Sequence, residues 1–291
     1  MKKKISYCLF EPKVLHAHRT WDEDRFDESR YWFNIPSVFI VNKILYPEYS
    51  NFFYLSEGIK DHPLFEIMEE LRGEIVDYEF IEEEYNGHQP AVWRMLPLWE
   101  DVEIFMSRDI DSIPIRDEFR AFKFFEGSDF SVHTMRSHAH HFNAPCRMLI
   151  GLSSFKPNKI PETIKKSNFA KFREAYSDEN RWDADQIAII RAFTTNQFFT
   201  PDNFLDSPIN QQKNNQDFEC FKTTEESLGS VEVSDKQSQV FDLVEKHKIC
   251  TWAGEPCNAK GEFLKDLFQF SESDKVKGVI ESSETLKKFY L

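Results

Sequence analysis

The chain of 291 residues contains no apolar run long enough to cross a bilayer, which points away from a helical membrane protein. Its start, Met1-Lys2-Lys3-Lys4, is basic like a signal peptide, but the apolar residues that follow break at Glu11-Pro12, too soon for an export segment. Cysteine is scarce and scattered, at positions 8, 146, 220, 250 and 257, and no two form Cys-x-x-Cys. An odd, dispersed set indicates neither a disulfide framework nor a structural zinc site, and a reducing cytoplasmic setting is the simplest expectation. Positive charge is in deficit: 36 Lys and Arg against 50 Asp and Glu leave a net −14. That balance argues against a broad nucleic-acid footprint. No internal repeat and no second-domain boundary is visible, and nothing in the residues speaks to oligomeric state.

What is present is a soluble-protein composition, 41% hydrophobic and 30% charged, with 29 Phe for ring-lined cores and clefts. Short apolar runs with strand character and longer ones with helical character take turns. Strands are expected at Ile5 to Phe10, Asn51 to Ser56, Glu74 to Ile81, Asp129 to Met135 and Met148 to Phe155, the last containing Gly151. Helices are expected at Val38 to Leu45, Leu64 to Leu71, Ala91 to Leu96, Ile115 to Phe125, across 161 to 176, and from Asp185 to Phe193. This alternation predicts an α/β sandwich around a largely parallel sheet. One domain over 1–291 is expected: a core over 1–205, a polar surface excursion over 206–240 with one short strand or none, and C-terminal elements over 241–291. Val240 to Val244 and Ile249 to Trp252 read as final strands or as a helix and a strand, and the tail from Lys275 as a loosely attached helix.

The most informative stretch is the strand Val102 to Met106, which ends abruptly in Ser107-Arg108-Asp109-Ile110-Asp111-Ser112. Alternation along an extended chain would point Asp109 and Asp111 to one side. Two hard oxygen donors beside an arginine suit a divalent cation carrying phosphates. Paired aspartates at a strand end are also ordinary turn formers or helix caps, and Ser112 before Pro114 favours that plainer role. In a parallel sheet, ligands gather at the carboxyl ends of the strands, where this pair would lie.

With Trp93-Arg94-Met95 upstream and Asp185-Gln186 downstream, this stretch resembles the nucleotide-sugar glycosyltransferases of the GT-A fold, a Rossmann-like α/β/α sandwich. The resemblance covers most of residues 1–200 in the order of elements and fades beyond. It implies Mn²⁺ or Mg²⁺ on the diphosphate of a nucleotide-sugar donor, with UDP the commonest base in the family. It further implies Asp111 as direct metal ligand, and Asp109 on donor hydroxyls or sharing the metal. Arg94 or Arg108 would meet the phosphates, although either can pair with acidic neighbours instead. Arg136 and His138 would border the donor. Asp185, with Asp183 as understudy, would stand near the acceptor hydroxyl, and His247, the one histidine after residue 141, is the candidate third metal ligand. An inverting transferase needs a carboxylate base at the acceptor and a retaining one does not, so both outcomes stay open.

Three other readings compete. A sugar nucleotidyltransferase of the same fold needs a Gly-rich phosphate loop, and residues 7–20 hold no glycine. The cluster His133, His138, His140 and His141 suggests a metallohydrolase, but no acidic residue lies at ligand spacing and no His-Glu-x-x-His occurs. A non-catalytic carbohydrate-binding module would use the exposed aromatics alone.

Overall fold

The computed structural model describes residues 2–10, 34–62, 65–73, 76–83, 89–136, 148–177, 184–208, 221–250, 253–255, 262–271 and 273–291. Its strands are β1 (Lys2–Leu9), β2 (Ser50–Ser56), β3 (Val76–Ile81), β4 (Val102–Arg108), β5 (Val132–Arg136), β6 (Leu152–Phe155), β7 (Phe204–Pro208) and β8 (Phe221–Lys222). They form one sheet in the order β3-β2-β1-β4-β6-β5-β7-β8. All neighbours are parallel except β6, which runs against both β4 and β5. The mixed α/β architecture with a mostly parallel sheet is as the alternation of elements implied.

Helices cover both faces of the sheet. They are α1 (Ile35–Leu45), α2 (Phe65–Leu71), α3 (Arg116–Glu126), α4 (Glu162–Lys165), α5 (Phe169–Tyr176), α6 (Ala184–Thr195), α7 (Glu225–Gly229), α8 (Asp235–Lys246), α9 (Glu262–Gln269), α10 (Asp274–Ser282) and α11 (Glu284–Tyr290). A 3₁₀ run, Gln89–Trp99, takes the place of the helix expected at 91–96, with Pro97 inside it lacking the N–H of an α-helical bond. On one face Ile5, Tyr7, Phe53, Leu55, Ile104 and Met106 pack under α1, α2, α3 and the C-terminal helices. On the other, Phe105, Val132, Phe155 and Phe204 meet the 3₁₀ run and α4 to α6. Strand residues alternate between these two cores, which is why the apolar runs read as continuous rather than period-two. Among the described residues, no helix is long and apolar enough to cross a membrane.

Local signals explain the element ends. Pro36 sits in the first turn of α1, and Asp117 and Glu118 in the first turn of α3. Ser234 and Gln237 form a capping box at α8, each side chain accepting from the other's backbone N–H. The helix expected across 161–176 is split because Lys166 adopts φ 60°, outside the helical region, between α4 and α5.

One expectation for the C-terminal third is corrected, that of the tail. In its described parts the polar segment 206–240 holds the end of β7, the two-residue β8, α7 and the start of α8; from Lys222 to Gln239 all but Thr223 are exposed or half-buried, whereas Asp206 is fully buried. The tail is not loosely attached, since Val276, Ile280, Leu286 and Tyr290 are buried and Ser37 N–H donates to Tyr290 Oη at 3.0 Å. Val240 to Val244 lie within α8, the helical one of the two readings offered for them.

Candidate functional site

The direction of chain travel reverses beside β1. From β1 the chain goes outward to β2 and β3, then crosses back to β4 on β1's other side. The carboxyl ends of β1 and β4 therefore flank a topological switch point, where the loops diverge and leave a crevice. Sheet register shows what faces it. Ser6 lies opposite Ser107, Ser107 opposite Ser153, Ser153 opposite Thr134 and Thr134 opposite Asp206. Residues in register share a face. The next row toward the carboxyl edge, continuing that register, is Cys8, Asp109, Gly151 and Arg136.

Asp109 is the half-exposed member of this edge, with 48% of its side chain accessible. Beside it comes Arg94 from the 3₁₀ run. That run is pinned by the fully buried Trp93 and Met95 on either side of Arg94, and by Ser6 Oγ, which donates to the Arg94 carbonyl at 2.7 Å. The guanidinium, 8% exposed, donates to Asp109 through Nη1 and to Asp185 through Nη2 and Nε, the last at 3.1 Å. Asp185 is 2% exposed, in the first turn of α6, whose Ala188, Ile189, Ala192 and Phe193 anchor the helix in the core. One cation thus sits between two carboxylates, one buried and one facing the crevice.

Burial favours the protonated form of Asp185 and raises its pKa, against the opposing pull of Arg94. Burial likewise works against the charge of Arg94, but Asp109 and Asp185 outweigh it and hold the guanidinium more firmly charged. Cys8 lies within electrostatic reach of the same three groups, and burial pushes its thiol up to about 12. At neutral pH it is a protonated thiol, with its Sγ directed to the Ala91 carbonyl.

The two aspartates of the motif do not share an environment. β4 stops at Arg108, and the chain turns at once: Ser112 N–H donates to the Asp109 carbonyl at 3.3 Å and Ser112 Oγ to the same oxygen at 3.1 Å. Strand alternation therefore does not extend to Asp111, which is 7% exposed. The strand geometry on which that expectation of a shared side rested ends before the pair; Asp109 is half-exposed at the crevice and Asp111 is buried.

Other expected site residues go elsewhere. Arg108, on the opposite face of β4, is buried against Glu118 of α3 and donates to Ser112 Oγ at 3.2 Å. Its charge is matched there, away from the crevice. Arg136 lies on the crevice row, but its guanidinium grips the fully buried Asp206 with two bonds, one from Nε at 2.9 Å. His247 follows α8, where its Nε2 lies 2.9 Å from Asp266 Oδ2 and its ring stands edge-on to Phe263. Among the described residues no three His, Cys, Asp or Glu side chains gather to hold a metal, so the set Asp109, Asp111 and His247 is not assembled. His133 is buried and stacked on Phe125, with Nε2 3.0 Å from Ser207 Oγ. Asp183, His138, His140 and His141 lie outside the described residues.

Gly151, Glu118 and Asp206 were not singled out from the sequence as partners of the motif. A lone glycine entering an apolar strand is the signal that marks a close backbone approach. No comparable signal exists for Glu118 or Asp206, because which cation they meet depends on strand order. No protein-family model matches the chain, and comparison with curated proteins finds no match.

Proposed function

We propose that this protein is a metal-dependent glycosyltransferase that moves a sugar from a nucleotide diphosphate-sugar to an acceptor hydroxyl. The observation that carries the reading is Asp109: a half-exposed carboxylate at the carboxyl edge of β4, beside the switch point of a mostly parallel sheet. Nucleotide ligands of such sheets bind at that place. The residues fit a divalent cation of one kind only. Asp109 offers one carboxylate rather than an all-protein cage, which suits Mg²⁺ or Mn²⁺ completed by diphosphate oxygens and water. When bound, the cation supplies Lewis-acid stabilisation of the departing diphosphate.

The chain's own residues then divide the work. Asp109 holds the metal-diphosphate end of the donor. Arg94 fixes the Asp109 carboxylate and adds positive charge behind it. Asp185, buried against Arg94, orients the guanidinium and is a positioning residue in this reading rather than the acceptor's base. The donor base is taken as uracil from the family's usual preference.

The test is a thermal-shift panel of UDP, GDP and TDP, each with and without Mn²⁺. A rise in melting temperature with one diphosphate, dependent on Mn²⁺ and abolished by Asp109→Asn, is the expected result. Absence of a shift with every nucleotide sinks the reading.

A further inference from the structure

Gly151 enters β6 directly across from Asp109. An alanine Cβ at this position would lie 2.0 Å from Asp109 Oδ2, 2.6 Å from Cγ and 3.0 Å from Oδ1. The carboxylate therefore rests on the patch of β6 backbone that the missing side chain leaves open. Glycine is not needed there for its dihedral freedom, because the described glycines with positive φ are Gly73 and Gly254. Space alone makes position 151 special.

Neither partner can retreat as a whole. Met148 and Ile150 on the approach to β6 are fully buried, and Ser153 N–H donates to the Ile150 carbonyl at 3.1 Å. On the other side, the Asp109 main chain is held by the two bonds from Ser112 to its carbonyl. A side chain at 151 would thus be accommodated by swinging the Asp109 carboxylate, whose side chain is 48% exposed. Swinging breaks its bond to Arg94 Nη1.

We propose that Gly151 is a positioning residue for Asp109: its absent side chain is the seat that keeps the carboxylate at the switch-point crevice and within reach of Arg94. The seat stands on geometry alone, and its consequence for the donor rests on the transferase reading above. In that reading, Asp109 held in this orientation would be the residue that takes the diphosphate-bound cation.

The test is a stability cycle with a binding arm. Gly151→Ala, Asp109→Ala and the double variant are unfolded in urea beside the wild type. Gly151→Ala is expected to lower the midpoint in the wild-type chain. In the Asp109→Ala chain, where nothing remains for the new methyl to strike, it is expected to leave the midpoint unchanged. An equal loss in both backgrounds, or a double variant that no longer folds where Asp109→Ala does, overturns the proposal. In the binding arm, Gly151→Ala is expected to lose the Mn²⁺-diphosphate thermal shift as Asp109→Asn does. A retained shift overturns the functional part. If the wild type shows no shift but the cycle is non-additive, the seat stands and the transferase reading falls.

Discussion

Arg94 Nε lies 3.1 Å from Asp185 Oδ2, and the same guanidinium reaches across to Asp109. The two carboxylates hold one cation from opposite environments, and the energetics should differ accordingly. Removing Arg94 strands a carboxylate that is 2% exposed, which typically costs about 3–5 kcal/mol. The Asp109 side, 48% exposed, is screened by water, and Asp109→Asn should cost about 1 kcal/mol or less. Urea unfolding of Arg94→Ala and Asp109→Asn checks the ordering. The ligand shift should part from stability, with Asp109→Asn losing it while remaining folded. Comparable losses of stability from both variants would contradict the division.

His133 provides a pH signature. Buried against Phe125, it is held neutral, with its pKa lowered by burial from the ordinary 6.5 to about 3. The unfolded chain takes up a proton below about 6.5 that the folded chain refuses. This depressed histidine therefore costs stability progressively as pH falls from about 6.5 toward 3, at up to about 1.4 kcal/mol per unit. In His133→Gln, the fall in unfolding free energy between pH 6.5 and 4.5 should be shallower than in the wild type. Parallel pH curves would show that the imidazole is protonated in the fold.

The C-terminal helices should prove structural. Tyr290 accepts from the Ser37 N–H of α1, and Leu286 and Tyr290 are almost fully buried. Two such side chains are worth about 3–6 kcal/mol together, a large part of the about 5–15 kcal/mol that holds a typical domain. Deleting residues 284–291 should lower the urea midpoint markedly and expose the chain to limited proteolysis. An unchanged midpoint would mean that the tail contributes nothing to the core.

Most of the sheet was legible because its strands are local patterns. The runs at 5–10, 51–56, 74–81 and 102–106 are apolar, short and bounded by charge or turn residues, and among the described residues each overlaps a strand. The burial of Asp206 was not legible, because a lone charged residue after an apolar pair reads alike whether it is solvated or paired. Nothing in Phe204-Leu205-Asp206-Ser207 announces that Arg136, 70 residues earlier, will neutralise the aspartate. Arg94 and Asp185 were marked as site residues, yet their mutual bond spans 91 residues and could not be read from spacing.

The sequence by itself determined that the chain alternates strands with helices, that a strand ends in Asp109 and Asp111, and that Gly151 interrupts an apolar run. Those are properties of neighbouring residues, governed by backbone geometry and hydrophobic period. Only the tertiary structure decided that Asp109 is half-exposed while Asp111 is buried, that Arg94 joins Asp109 to Asp185, and that Gly151 makes room for the Asp109 carboxylate. Strand alternation ends where a turn begins, and close approach between strands 42 residues apart depends on their order in the sheet.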